Sequence, residues 1–188
     1  MLEYEKKVLL TEEKYLKLSQ VIGEGKPKII QTNYYYDSDD LKMNTLGITC
    51  RIREKNGKYK ATIKAHKQTN MACSIEKSKE VIDQYDDSLF SGMHLELQGK
   101  LMTERIILFS DGRCEVVLDK NTYLGITDYE MEVEYLPEYE KCAINLIYQY
   151  MSILYPLKPL MNILSHKVSK SKSERFFEHK QQLQNKEN

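Results

Sequence analysis

The 188-residue chain has no tryptophan, only four prolines and four cysteines, and a formal charge that sums to zero. Each shortage removes a class of protein. With 28 basic residues set against 28 acidic ones, there is no basic surplus of the kind that a general nucleic-acid or membrane-surface binder carries. No apolar run approaches the ~20 residues of a bilayer span, and no basic-then-apolar leader precedes the fold, so a cytoplasmic protein without membrane contact is expected. Cys50, Cys73, Cys114 and Cys142 form no Cys-x-x-Cys pair, and His66, His94, His166 and His179 are equally scattered, which leaves a zinc site of the usual spacing unsupported. The cysteines read as reduced core residues, and any metal is expected to be a hard cation held by oxygen. A Gly-x-x-x-x-Gly-Lys-Ser/Thr phosphate loop is also missing.

What the chain has in quantity is charge, at 30% of residues, and tyrosine, at 14. Thr11 followed by Glu12 and Glu13 reads as a helix start, with Tyr15, Leu18 and Ile22 at helical spacing and Gly23 and Gly25 ending it. From there to about residue 135 the chain reads as β, in segments 29–37, 47–54, 58–66, 72–80, 102–109, 113–119 and 127–135. Asn56-Gly57 and Asp111-Gly112 supply the positive φ of tight hairpins. Residues 83–98 read as a helical or looped excursion. Pro137 opens a helix with an apolar stripe of Ala143, Leu146, Ile147, Tyr150 and Leu154, broken at the Pro156–Pro159 stretch. Residues 169–177 read as a short basic strand running into a final helix, and 179–188 as a frayed polar tail. One domain over 1–178 follows, with about eight mostly antiparallel strands and no βαβ rhythm.

The strands carry charge at alternate positions. Glu3, Glu5 and Lys7 share one face of the first, Arg51 and Arg53 one face of another, Lys60, Thr62 and Lys64 of a third. Arg113, Glu115, Val117 and Asp119 alternate with apolar residues, as do Asp128, Glu130, Glu132 and Glu134. Roughly half a match to acid-x-acid-x-base is expected by chance in such a composition, so the first triplet alone decides nothing. A one-sided sheet with a wet face also produces alternation. The charges sort by strand, however, with acids at 3/5 and 128–134 and bases at 51/53 and 60/64, which favours a sheet closed around a charged interior with its apolar face against the helices. Acids suit Mg²⁺ or Mn²⁺ and bases suit phosphate oxygens, so the two together suit a metal–polyphosphate complex.

These residues resemble the CYTH superfamily of triphosphate tunnel metalloenzymes, in its small single-domain bacterial form. The resemblance is carried by Glu3-Tyr4-Glu5-Lys6-Lys7, Asn33-Tyr34-Tyr35-Tyr36-Asp37, Gly47 through Glu54, Thr62-Ile63-Lys64, Val117-Leu118-Asp119, Asp128 through Glu132 and Lys170-Ser171-Lys172. It implies an α+β fold with an eight-stranded antiparallel closed barrel that hydrolyses a small triphosphate with Mg²⁺ or Mn²⁺. It further implies that Glu3, Glu5, Glu130 and Glu132 hold metal, with Asp119 and Glu134 as additional ligands. Lys7, Arg51, Arg53, Lys64, Arg105 and one of Lys170 and Lys172 would grip phosphate, with Lys7, Arg53 and Lys64 nearest the chemistry. Tyr35 or Tyr36 is a candidate for proton movement near Lys64, although with 14 tyrosines in the chain simple packing is the better account of either. The family's Arg-x-Glu-x-Glu strand is reduced here to Glu76. Inorganic tripolyphosphate is the expected substrate. Alternatives are thiamine or nucleoside triphosphates, cyclisation of ATP, or a binding-only sensor of polyphosphate or nucleotide.

Overall fold

A computed structural model describes residues 2–66, 73–156 and 170–187, with nothing said of the side chains of 2, 3, 66, 73, 74 and 187. The elements run β1 (Leu2–Leu10), α1 (Glu12–Ile22), β2 (Lys28–Asp37), a one-turn α2 (Lys42–Thr45), β3 (Ile48–Lys55), β4 (Lys58–His66), β5 (Cys73–Val81), β6 (Glu96–Ser110), β7 (Cys114–Tyr123), β8 (Ile126–Tyr135), a 3-10 turn (Pro137–Tyr139), α3 (Glu140–Ser152) and α4 (Lys172–Glu187). All ladders are antiparallel, in the order β1-β5-β4-β3-β2-β6-β7-β8. β1 meets β8 along Tyr4↔Tyr135 to Leu10↔Tyr129, and on its other side meets β5 through a short seam, Leu2↔Ile75 to Tyr4↔Cys73.

Tight turns set the register. Asn56 and Gly57 both have positive φ (54° and 73°), as a two-residue hairpin matched to strand twist requires. Leu124 and Gly125 repeat the pattern between β7 and β8 (46° and 80°), although Leu-Gly carries none of the usual turn signal. α1 starts where Thr11 accepts a hydrogen bond from the Lys14 amide at 3.4 Å.

The apolar outer face of β6–β8 packs on α1 and α3: Leu108, Val116, Leu118, Met131 and Val133 meet Leu18, Ala143, Ile147 and Met151. That is the expected pairing of the sheet's apolar face with these two helices. Cys50 and Cys114 are buried free thiols, and burial pushes Cys50 up to about 12, which keeps it protonated and inert.

The chain's end departs from expectation. Residues 170–171 form no strand; Ser171 and Glu174 instead build a capping box, the Glu174 amide donating to Ser171 Oγ at 3.2 Å and the Ser171 amide to Glu174 Oε2 at 2.6 Å. Nor is 179–186 a frayed tail. Its Lys, Gln and Leu residues favour helix, α4 continues through them, and Lys180 donates to Gln98 at 2.8 Å. β6 and β7 are also longer than their apolar segments suggest, because polar Glu96, Lys100, Lys120, Asn121 and Thr122 are retained in the ladders. α3 ends at Ser152, ahead of the expected break that starts at Pro156; Pro159 and the role-less His166 lie outside the described residues, as do the side chains of His66 and Cys73.

Candidate functional site

The period of two decides what the interior contains. On β1, Glu5 and Lys7 turn inward while Lys6 turns out to pair with Glu140 of α3 at 2.9 Å. The same alternation aims Arg51 and Arg53 of β3, Lys64 of β4, Arg105 of β6, and Glu132 and Glu134 of β8 into a cavity of about 110 Å³. The first turn of α4 completes its lining with Ser171, Lys172 and Ser173.

On the β7–β8 side, acids and bases neutralise one another. The Lys172 ammonium lies 2.9 Å from Asp119, 2.6 Å from Glu130 and 2.9 Å from Glu132. Arg105 grips both oxygens of Asp119, at 2.9 and 2.7 Å, and reaches Glu132 at 2.9 Å. Lys7 bridges Glu5 at 2.8 Å and Glu132 at 3.4 Å. Burial alone would drive these groups towards neutrality. The network outweighs it: Lys172 is held above the ordinary lysine range by Asp119, Glu132 and Glu130, and Glu132 well below the usual carboxylate range by Lys172, Lys7 and Arg105.

On the β2–β3 side no such neutralisation occurs. Arg53 Nε donates to Asn33 Oδ1 at 2.8 Å, a neutral partner, and the buried Arg51 Nε has no partner among the described residues. Burial, with Arg51 and Arg105 close by, lowers Arg53 to about 10. Two guanidiniums this close, with Glu134 the acid acting on Arg53, leave positive charge in excess on this side.

Asp119, Glu130 and Glu132 are buried and offer oxygens within 4.8 Å of one another, the one cluster among the described residues able to share an ion. An all-oxygen set of this kind fits a hard divalent cation. The cluster already favours a cation, since an ammonium sits in it; a metal taking its place requires Lys172 to withdraw.

The structure thus brings Glu5, Lys7, Arg51, Arg53, Lys64, Arg105, Glu132, Glu134 and Lys172 to one cavity, with Asp119 and Glu130 directly behind Lys172. Glu134 is half exposed and lies 3.8 Å from Arg105. The Glu3 side chain lies outside the described residues. Lys170 is not at the cavity: its side chain is 56% exposed, against 9% for Lys172, and it pairs with Glu178. Capping at Ser171 explains the choice, because only residues after it join the helix that enters the interior. Tyr36 is removed from any proton role by strand alternation, which turns it, like Tyr34, to the outer face, where it meets Phe90 and the Gln84 carbonyl. Glu76 faces Lys60 at 3.6 Å.

Arg175 escaped the sequence reading. It clamps Asp128 at 2.8 and 3.1 Å and Glu130 at 3.0 and 3.1 Å, tying α4 to β8. The signal was present: after the capping box, Lys172, Arg175 and Phe176 fall at helical i, i+3 and i+4.

Residues 1–144 match the CYTH domain family. The chain is 30% identical over 146 residues to YjbK of Bacillus subtilis, named as a candidate triphosphatase, an alignment covering 71% of this chain and 77% of that protein. A candidate adenylate cyclase of Bacillus halodurans has a similar structure, with a TM-score of 0.68 and 24% identity over 93% of this chain and 97% of that one. HpAC1 of Hippeastrum, a candidate adenylyl cyclase described as having a dominant triphosphatase activity, superposes with a TM-score of 0.67 at 17% identity, covering 95% of each chain.

Proposed function

From membership of the CYTH domain family, to which this chain belongs, we propose that the cavity binds a triphosphate anion and hydrolyses it with a divalent cation, converting tripolyphosphate to pyrophosphate and phosphate. The sheet then acts as a closed tunnel, with the β1–β5 seam completing its wall. The observation that carries the reading is the pair Arg51 and Arg53, half-buried in one cavity, where Arg53 Nε donates to a neutral amide and the sealed Arg51 Nε has no partner among the described residues. A charge left uncompensated in the interior is expensive unless a ligand of opposite sign is meant to meet it.

Arg51, Arg53 and Lys64 would bind phosphoryl oxygens and neutralise the charge that spreads over them as the anhydride breaks. Asp119, Glu130 and Glu132 would hold Mg²⁺ or Mn²⁺, with Glu5 and Glu134 on the cavity side of that cluster. When bound, such an ion supplies Lewis-acid polarisation of phosphoryl oxygen and lowers the pKa of its water. Lys7 and Arg105 fix the positions of Glu5, Glu132 and Asp119, and the cations hold Glu5 and Glu132 below the usual carboxylate range against burial. Water attacks a terminal phosphorus, the P–O bond to the pyrophosphate breaks, and the products are phosphate and pyrophosphate.

The test is phosphate release from tripolyphosphate, thiamine triphosphate and ATP with Mg²⁺ or Mn²⁺, with cyclic AMP measured in parallel. Tripolyphosphate is expected to turn over fastest; tripolyphosphate inert while ATP reacts would replace the substrate. A binding-only role draws on one observation, that Lys172 occupies the acid cluster. It predicts tight tripolyphosphate binding without phosphate release at any metal concentration.

A further inference from the structure

Two thiols meet on the outer face of the sheet, away from the cavity. Cys114 is the first residue of β7 and points, with Val116 and Leu118, into the apolar layer beneath α3, where it is 2% exposed. Cys142 stands in the first turn of α3, one residue before buried Ala143, and is open to solvent. Both are free thiols.

The surrounding groups hold the strand end and the helix start together. The Leu136 amide donates to the Arg113 carbonyl at 3.0 Å, and the Arg113 guanidinium lies over the Tyr139 ring, 5.5 Å from its centroid, immediately before α3. Asp111 fixes the hairpin from the other side, accepting from the Cys114 amide at 2.9 Å and from the Arg113 guanidinium at 2.9 and 2.6 Å. Within this frame the Cys114 thiol hydrogen-bonds Cys142; burial, and then that bond, push Cys114 up to about 11, which keeps it protonated. Cys50 lies elsewhere, in a separate apolar cluster with Tyr36, Ile52, Ala61 and Phe90. An exposed thiol in contact with a buried one is the arrangement of an oxidisable pair, in which the first meets the oxidant and the second resolves the product. A disulfide needs its sulfurs at about 2.05 Å, and two thiols already in hydrogen-bond contact have little further to travel.

We propose that Cys142 and Cys114 form a peroxide-oxidisable dithiol site, in which Cys142 reacts first and the pair closes to a disulfide that staples α3 to β7. The Cys142 sulfur attacks one oxygen of hydrogen peroxide, the O–O bond breaks, water leaves and a sulfenic acid forms. The Cys114 sulfur then displaces that oxygen as a second water, which carries off the Cys114 proton. Two thiols and one peroxide thus give one disulfide and two waters. Neither sulfur lines the cavity, so the site stands whatever the cavity binds. The bond would join α3 to the back of the strand that carries Asp119.

The test exposes the reduced full chain to hydrogen peroxide and alkylates the remaining thiols. Intact mass, peptide mapping without reductant and thermal melting read the result. The wild type is expected to lose two hydrogens and to yield peptides joined through Cys114 and Cys142. It should melt about 5–15 °C higher than the reduced chain, a gain that dithiothreitol reverses. Cys142→Ser, on the exposed side, should give neither the bond nor the shift. Cys114→Ala should stop at the Cys142 sulfenic acid, which dimedone traps. Treated wild type in which both cysteines are still alkylated, or in which either pairs elsewhere or between chains, would overturn the proposal. A joined pair with an unchanged or lower melting temperature would overturn the staple.

Discussion

The two charged walls of the cavity differ less in how many charges they hold than in what answers those charges. On the β7–β8 side every buried acid meets a cation: Asp119 has Arg105 and Lys172, Glu130 has Lys172 and Arg175, and Glu132 has Lys7, Arg105 and Lys172. On the β3 side Arg53 has the amide oxygen of Asn33, and Arg51 Nε has nothing among the described residues. The first wall is a structural network that also matches a metal's needs. The second keeps an excess of positive charge, and the proposed phosphate site draws on that excess.

Breaking the neutralised wall should have the largest effect. Glu132→Ala strands Lys7, Arg105 and Lys172 together and is expected to cost about 3–5 kcal/mol, or roughly 6–20 °C in melting temperature for a chain of this size. Calorimetric melting checks this. Arg53→Met should behave in the opposite way. Removing a guanidinium hydrogen-bonded to a neutral amide should leave the melting temperature unchanged or raise it, while tripolyphosphate binding weakens by about 10- to 150-fold, the loss of a charge-assisted hydrogen bond. Lys172→Met tests the relation between the walls. Freeing the acid cluster of its ammonium should tighten Mn²⁺ binding, measured by paramagnetic relaxation of water, and the same change should lower stability.

The smallest effect is in pH. Glu132 and Glu5 titrate below the usual 4.5, since the cations around them outweigh burial. Their contribution to stability is therefore complete above pH 4.5 and is lost as pH falls through their lower folded values. Lys7 and Lys172 titrate above 10.5, because the carboxylates outweigh burial, so theirs is complete below 10.5 and is lost as pH rises through their higher folded values. Arg53 works the other way: lowered to about 10, it disfavours the empty fold at neutral pH and relaxes as pH rises past that value. The melting temperature should be flat between about pH 5 and 10 and fall beyond either limit, with the acid fall shallower in Glu132→Gln.

How much of this could be read in advance followed from periodicity. A repeat of two is unambiguous along Asp128-Tyr129-Glu130-Met131-Glu132, so the sequence revealed the strand and the shared inward face together. It could not reveal that Asp119 and Glu130 would face Lys172, because that pairing depends on a helix some 40 residues further on entering the interior. Lys170-Ser171-Lys172 looks like a strand by alternation alone. Only Glu174, three residues after Ser171, turns it into a capped helix and separates exposed Lys170 from buried Lys172. The bulge at Gln98 of β6, opposite Tyr35 and Tyr36, was equally silent. No helix among the described residues is long and apolar enough to cross a membrane.

The most direct test of the two-wall account is to measure tripolyphosphate binding and melting temperature together on the wild type and Arg53→Met. The account predicts that binding is lost while the melting temperature holds or rises. Binding retained with a lowered melting temperature would contradict it, and would make the arginine wall structural.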